Sequence, residues 1–220
     1  LGEIYTFLAE CMRYPEDAQH TTLLVETLVA FAHDLGWEKE EEGLEVWLAT
    51  CPDIFHDLRI EYTRLFITAA GGCLVPPYAS VYMKGEGYLN GYTTGRIRDF
   101  YRSQGFDISS EVEPADHLFL QLDFLAALTH ERRHDEEEQF LLTIFRPWFT
   151  RFHSQCLQMT THPFYRAVCM LIDFFTKEEQ YLAMKLTRRN FLKTFLIAAA
   201  SIPLSRVAAR AESGVVKAHL

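Results

Sequence analysis

Apolar side chains recur every three or four positions along most of the chain, the period of an amphipathic helix. Leu23, Leu24, Leu28, Phe31 and Leu35 make one stripe, closed by Gly36, the residue that suits a helix C-terminus. Asp53, after Pro52, predicts the N-cap of a helix carrying Ile54, Leu58, Tyr62, Leu65 and Phe66 on one face. Leu118, Leu122, Leu125 and Leu128 form the next stripe, after Pro114. Phe140, Ile144, Trp148 and Phe152 form another, and Pro147 inside it predicts a kink or a break. Phe164, Val168, Leu171, Ile172 and Phe175 make the last. Strand signals are scarce. The main interruption is residues 69–91, rich in Gly, Pro and Tyr, which predict a long ordered loop of the kind that often carries function. The acid clusters at 38–42 and 135–138 read as solvated surface. The fold class expected is all-α, a single helical domain. No Gly or Pro occurs from Phe174 to Ala200, so the last helix is predicted to run on as one rod.

Composition narrows the classes. The chain has 220 residues, enough for one domain with a proper core, and its aromatic content of 14% excludes a disordered segment. The five cysteines (Cys11, Cys51, Cys73, Cys156 and Cys169) form no C-x-x-C pair and fit reduced, mostly buried thiols of a cytoplasmic protein. No apolar run approaches the roughly 20 residues of a bilayer span, so no stable membrane insertion is expected. Leu1 stands already in mid-pattern, which predicts a trimmed N-terminus. Charge is divided unevenly. Residues 1–183 hold 14 basic and 29 acidic residues, a net of −15, whereas residues 184–220 hold seven and one, a net of +6. An acidic body is a poor match for nucleic acid, which requires clustered Lys and Arg. Opposite charge on the two parts favours docking of one to the other.

The tail has a recognisable layout. Thr187, Arg188, Arg189, Phe191, Leu192 and Lys193 make an Arg-Arg-x-Phe-Leu-Lys motif within a basic n-region at 184–193. An apolar h-region occupies 194–205, including Phe195 and Leu196, and Ala209-Arg210-Ala211 offers an A-x-A cleavage site. This is the arrangement of a twin-arginine export signal, and such signals open a protein. Met184 provides a start for it, so the chain reads as two reading frames joined by a deliberate fusion: a folded body at 1–183 and a signal peptide with the start of a mature sequence at 184–220.

Catalytic signals are weak. Gly85-Glu86-Gly87 and Gly91 have the wrong spacing for a dinucleotide loop, and neither a P-loop nor a G-x-S-x-G occurs. His130-Glu131-Arg132-Arg133-His134 matches H-E-x-x-H, which on a helix puts both imidazoles on one face for zinc. The middle positions are arginines and four acidic residues come directly after, the composition of a wet helix end rather than a walled metal site. A zinc metalloprotease is therefore the alternative and not the main reading. No catalytic residue, metal or cofactor is expected. A plain helical scaffold is the other alternative.

Three segments carry a stronger signal. They are Tyr62-Thr63-Arg64-Leu65-Phe66, the loop Pro76-Pro77-Tyr78-Ala79-Ser80-Val81-Tyr82, and Glu113-Pro114-Ala115-Asp116-His117-Leu118. In order and spacing they resemble the TorD/DmsD/NarJ family of redox-enzyme maturation chaperones, across roughly residues 1–183. Leu118, where isoleucine is common, is a mild departure. The resemblance implies an all-helical, TorD-like fold without enzymatic activity. It also implies a protein that binds the twin-arginine signal of a molybdenum-enzyme precursor and holds it until cofactor insertion. It points to Tyr62, Leu65, Phe66, Pro77, Tyr78, Ser80, Tyr82, Glu113, Asp116 and His117 as the peptide-binding region.

The same residues have readings of their own. Pro114 suits the first turn of a helix, and Asp116 in that turn complements the positive helix end. His117 near such an end is expected to be neutral. Tyr62, Leu65 and Phe66 at helical spacing read as core, whereas Tyr78 and Tyr82 in a Pro-rich loop read as binding surface. The expected binding mode is helix-in-groove, with Phe191, Leu192, Phe195 and Leu196 as anchors and Arg188 and Arg189 meeting Glu113 and Asp116. A stiff rod cannot double back, so the tail is predicted to dock into a neighbouring chain and make a dimer or larger assembly.

Overall fold

Helices form where the stripes predict them, and their ends are set by particular side chains. The computed structural model describes residues 1–68, 74–83, 89, 91–108, 113–177 and, for the backbone, 215–217. In chain order these give α1 (Gly2–Cys11), α2 (Ala18–Asp34), α3 (Glu38–Thr50), α4 (Ile54–Tyr62), α5 (Ala79–Tyr82) and α6 (Tyr92–Ser103). Strand β1 (Phe106–Ile108) is next, then α7 (Leu118–His130), α8 (His134–Phe140), α9 (Arg146–Met159), α10 (Pro163–Thr176) and strand β2 (Val215–Lys217). The all-helical class holds, with one short antiparallel ribbon, β1 on β2, among the described residues.

Within that class the chain divides into two compact units that interleave in sequence. One contains Leu1–Arg13, Pro76–Phe152 and β2, and the other contains Tyr14–Val75 and the segment beginning at His153. In the first, α1 lies along α7, and α7 is buried on nearly every face. Phe100, Tyr101, Phe106, Phe124 and Phe140 pack ring on ring there, with Phe124 at the centre of the cluster. In the second, α2 packs on α3, α4 and α10. Tyr62, Leu65 and Phe66 are buried, as the helical spacing predicts. Tyr62 and Phe66 lie 5.0 Å apart and Phe66 lies 5.3 Å from Tyr165. In the same unit Glu61 accepts from Arg64 twice and from Thr160. Burial works to raise the Glu61 carboxyl, but those hydrogen bonds prevail and hold it below its ordinary range.

Caps account for the boundaries. Asp53 accepts from the His56 amide as predicted, and Asp17 does the same for His20. Gly36 takes φ 67°, with its amide on His33 O and the Trp37 amide on Ala32 O, a Schellman closure of α2. The first unit closes α7 in the same way without glycine. Arg132 takes φ 60°, its amide bonds Thr129 O, and the Arg133 amide bonds Leu128 O.

That closure overturns the zinc geometry. His130 ends α7, Arg132 reverses the backbone, and His134 opens α8, so the two imidazoles do not share a helix face. Among the described residues no group of His, Cys, Asp or Glu could hold a metal ion. Of the kink or break predicted at Pro147, the break does not occur, since the helical run continues from His134 to Met159. Residues Leu141–Phe145 form a π turn, with the Arg146 amide reaching back to Leu141 O. This turn ends at Phe145, shortly before Pro147, and the stripe stays buried through Phe152.

The expected rod is also corrected. Helix α10 stops at Thr176, and Lys177 is extended at φ −74° and ψ 137°. Thr176 turns its hydroxyl onto Ile172 O, and Lys177 pairs with Asp173 across the last turn. A run without Gly or Pro permits a helix but does not oblige one. Residues 215–217 pair as β2 with β1 of the same chain, and the predicted docking of the tail into a neighbouring chain falls on residues 178–214, outside the described residues. The join at Met184 and the motif residues Thr187, Arg188, Arg189, Phe191, Leu192, Lys193, Phe195 and Leu196 lie outside the described residues.

Candidate functional site

The Pro-Pro-Tyr loop and the Glu-Pro-Ala-Asp-His segment meet in the first unit. Tyr78 and His117 form an isolated antiparallel bridge. The Leu118 amide donates to Pro77 O at 2.8 Å, and the Ala79 amide donates to Asp116 O at 3.1 Å. Side chains repeat the connection. The Tyr78 hydroxyl donates to Glu113 at 2.8 Å, and the Tyr78 ring stands edge-on to the His117 ring at 4.8 Å.

Asp116 is fully buried at the centre of this knot. One carboxylate oxygen accepts from the Ser80 amide and the other from the Thr94 hydroxyl, each at 2.8 Å. It therefore ties together the start of α5, the first turn of α6 and the approach to α7. The expectation that Pro114 and Asp116 occupy the first turn of a helix is corrected, since α7 begins at Leu118. Asp116 serves the amide at the start of α5 instead, which a reading of the local sequence could not show because the partner is 36 residues away.

His117 is the N-cap of α7. Its Nδ1 accepts from the Phe119 amide at 3.2 Å, which requires a neutral ring with the proton on Nε2. Burial pushes its pKa down to about 3, with Arg13 adding repulsion, so the neutral imidazole expected from the sequence is present. Arg13 lies over the Phe119 ring at 4.1 Å and donates to Asp123 at 2.6 Å and to Glu10 at 3.0 Å. Burial moves the Asp123 carboxyl up to about 7, Arg13 opposing and Glu10 assisting.

Tyr82, predicted as surface, is buried, because α5 turns its ring onto Trp148 at 5.9 Å and Phe152 at 5.8 Å. Arg151 holds the Tyr82 carbonyl, and Trp148 donates to Gln121, whose amide in turn reaches Asp116 O. Pro77 and Ser80 are buried as well. Tyr78 and Glu113 are half-buried, as are Pro76, Val81 and Pro114, and together they form the accessible edge of the motif. Tyr62, Leu65 and Phe66 belong to the other unit and are core there. Thr94, Gln121 and Arg13 are not foreseeable from sequence, since each is ordinary in its own segment and gains its role from a distant partner. This network joins the start of α5, the first turn of α6 and α7 through Asp116 and Gln121.

Comparison with known proteins shows the family. Residues 35–154 match the family model described as nitrate reductase delta subunit. The chain belongs to this family, that of the TorD and NarJ proteins. A "Tat proofreading chaperone DmsD" of Salmonella typhimurium is 30% identical over 160 residues, 72% of this chain and 78% of that protein. A "Chaperone protein TorD" of Vibrio vulnificus is 31% identical over 140 residues, 57% of this chain and 64% of that protein. The match thus spans just under two thirds of that relative's length. A crystal structure from Archaeoglobus fulgidus, described as a redox enzyme maturation protein, superposes with a TM-score of 0.53 at 25% identity, covering 78% of this chain and 93% of that one. The relatives are chaperones rather than enzymes. No helix among the described residues is long and apolar enough to cross a membrane.

Proposed function

We propose that this chain is a cytoplasmic chaperone that binds the twin-arginine signal peptide of a molybdenum-enzyme precursor and holds it until the cofactor is inserted. The observation that carries the reading is a coincidence within one polypeptide. A chain of the TorD and NarJ family also contains, at residues 187–196, the kind of signal such a chaperone would bind. The tail is then the ligand supplied in cis, from a second reading frame beginning at Met184. Tyr78 and Glu113 lie on the half-buried edge of the motif that would be open to a peptide, and Glu113 is the carboxylate that would receive Arg188 or Arg189. Asp116, sealed in with both oxygens engaged, holds that edge in shape.

The test is titration of residues 1–183 with a peptide of residues 184–211 by calorimetry. Binding that weakens with salt but persists is expected, because the apolar anchors contribute beside the charges. Leu196→Ala in the peptide is expected to cost about 1.5–3 kcal/mol. The exposed ion pairs of Arg188 and Arg189 contribute roughly 0–1 kcal/mol each. An absence of complex at moderate salt would sink the reading.

A further inference from the structure

Strand β1 is a prepared half of a ribbon. Gly105, at φ 80°, turns the chain out of α6, and Phe106 is buried with its ring 5.5 Å from Phe124. Arg133 fixes the preceding turn by donating to Gln104 O at 2.8 Å and lies over the Phe106 ring. Arg102 pairs with Asp107 at 3.5 Å. These contacts hold Phe106–Ile108 extended from one side, and a ladder partner is needed for the other. Among the described residues its one ladder partner is β2, in the register Phe106 with Lys217, Asp107 with Val216 and Ile108 with Val215. Strand β2 begins four residues past Ala211, the end of the A-x-A site. The paired segment is therefore not the export signal. It lies just beyond the cleavage site, in the first stretch of the mature sequence.

We infer that the β1 edge is a second docking surface, which takes the early mature segment of the client as an added antiparallel strand. The inference rests on the reading of residues 184–220 as the client's own N-terminus. Where client and chaperone are separate chains, the client's early mature segment would supply the strand that β2 supplies here. Recognition through backbone ladder bonds tolerates different side chains, so one edge can accept clients whose mature sequences differ. It also covers the residues beside the cleavage site while the signal is held elsewhere on the chaperone.

Hydrogen exchange at the amides of residues 106–108 tests this in the full 220-residue chain. Val216→Pro fixes φ in the middle of β2 and disrupts its extended run, and is expected to speed exchange of the paired segment at least tenfold, while Val216→Thr leaves it protected. A free peptide of residues 204–220, added in excess to the Val216→Pro chain, is expected to restore protection. Unchanged exchange in Val216→Pro, or failure of the peptide to restore protection, overturns the inference. Neither result depends on the twin-arginine motif, which the 204–220 peptide lacks. If protection is restored but the 184–211 peptide gives no complex with residues 1–183, it is the chaperone reading that fails.

Discussion

The two units solve the same two problems with the same devices in different surroundings. Each starts a helix with a His-x-Phe cap. His117 accepts from the Phe119 amide in one, and His162 accepts from the Phe164 amide in the other. Each closes a helix with a Schellman turn, at Arg132 in one and at Gly36 in the other. The surroundings set the chemistry. His162 faces the partly exposed Asp57 carboxylate at 3.1 Å, which also accepts from Trp47. Burial lowers the His162 pKa and Asp57 works against that. His117 has no carboxylate opposing its desolvation and lies beside a cation, which is why its pKa falls much further. Both caps are shifted toward the neutral ring, and the carboxylate in reach of His162 limits that shift where His117 has Arg13 instead.

The largest effect is expected where the first unit is most closed. Asp116→Ala leaves the Ser80 amide and the Thr94 hydroxyl buried without their acceptor and is predicted to cost about 3 kcal/mol or more. A loss below about 1 kcal/mol in denaturant unfolding would mean that water reaches the knot.

Next come the caps themselves. His117→Ala is expected to cost about 2 kcal/mol and His162→Ala about 1, because only the first leaves its helix end sealed from water. Asparagine, itself a good N-cap, is expected to recover part of the loss at both positions. Equal losses at the two sites would remove the distinction between them.

The pH dependence sharpens the comparison further. Between about 6.5 and about 3 the unfolded histidine takes up a proton that His117 refuses, so acid destabilises the fold by about 1.4 kcal/mol per pH unit. Asp123 does the reverse. Between 3.8 and about 7 the folded carboxyl keeps a proton that the unfolded one releases, so rising pH destabilises. The two slopes oppose each other across the range they share. Asp123→Asn is expected to uncover acid sensitivity, and His117→Asn to uncover the opposite slope, in urea midpoints at pH 4, 5 and 6. Parallel profiles for wild type and both variants would contradict this.

The smallest effect concerns the closing turns. Arg132→Gly is expected to stabilise by about 0.5–1 kcal/mol, since a left-handed backbone costs an arginine what it does not cost glycine. Gly36→Ala is expected to lose about 1 kcal/mol from its backbone alone, as a Cβ there would meet nothing within 4 Å. Thermal melts of the two variants moving in the same direction would show that the two closures are not equivalent.

Periodicity made the helices and their buried faces legible, because a stripe such as Leu118, Leu122, Leu125 and Leu128 reflects a demand of burial that the chain states locally. Cap signals succeeded at Asp53 and Gly36 for the same reason. What could not be read were roles given by distant partners. Asp116 has the look of a helix-end charge and is the junction of three segments; Tyr82 has the look of an exposed ring and stacks on Trp148. His130 and His134 have the spacing of one helical face, and a left-handed arginine, a rare choice, separates them.

The π turn at Leu141–Phe145 makes the stretch between α8 and α9 a matter of counting. A π turn carries one residue more than the α-helix around it requires. Each residue added to or removed from a helix rotates everything beyond it by about 100°. Deleting one residue from 141–145 would give a more regular helix and a worse protein, since Trp148, Phe149 and Phe152 would swing away from the core they now fill. Here the surplus residue acts as a phase setting, and its presence matters more than which amino acid supplies it.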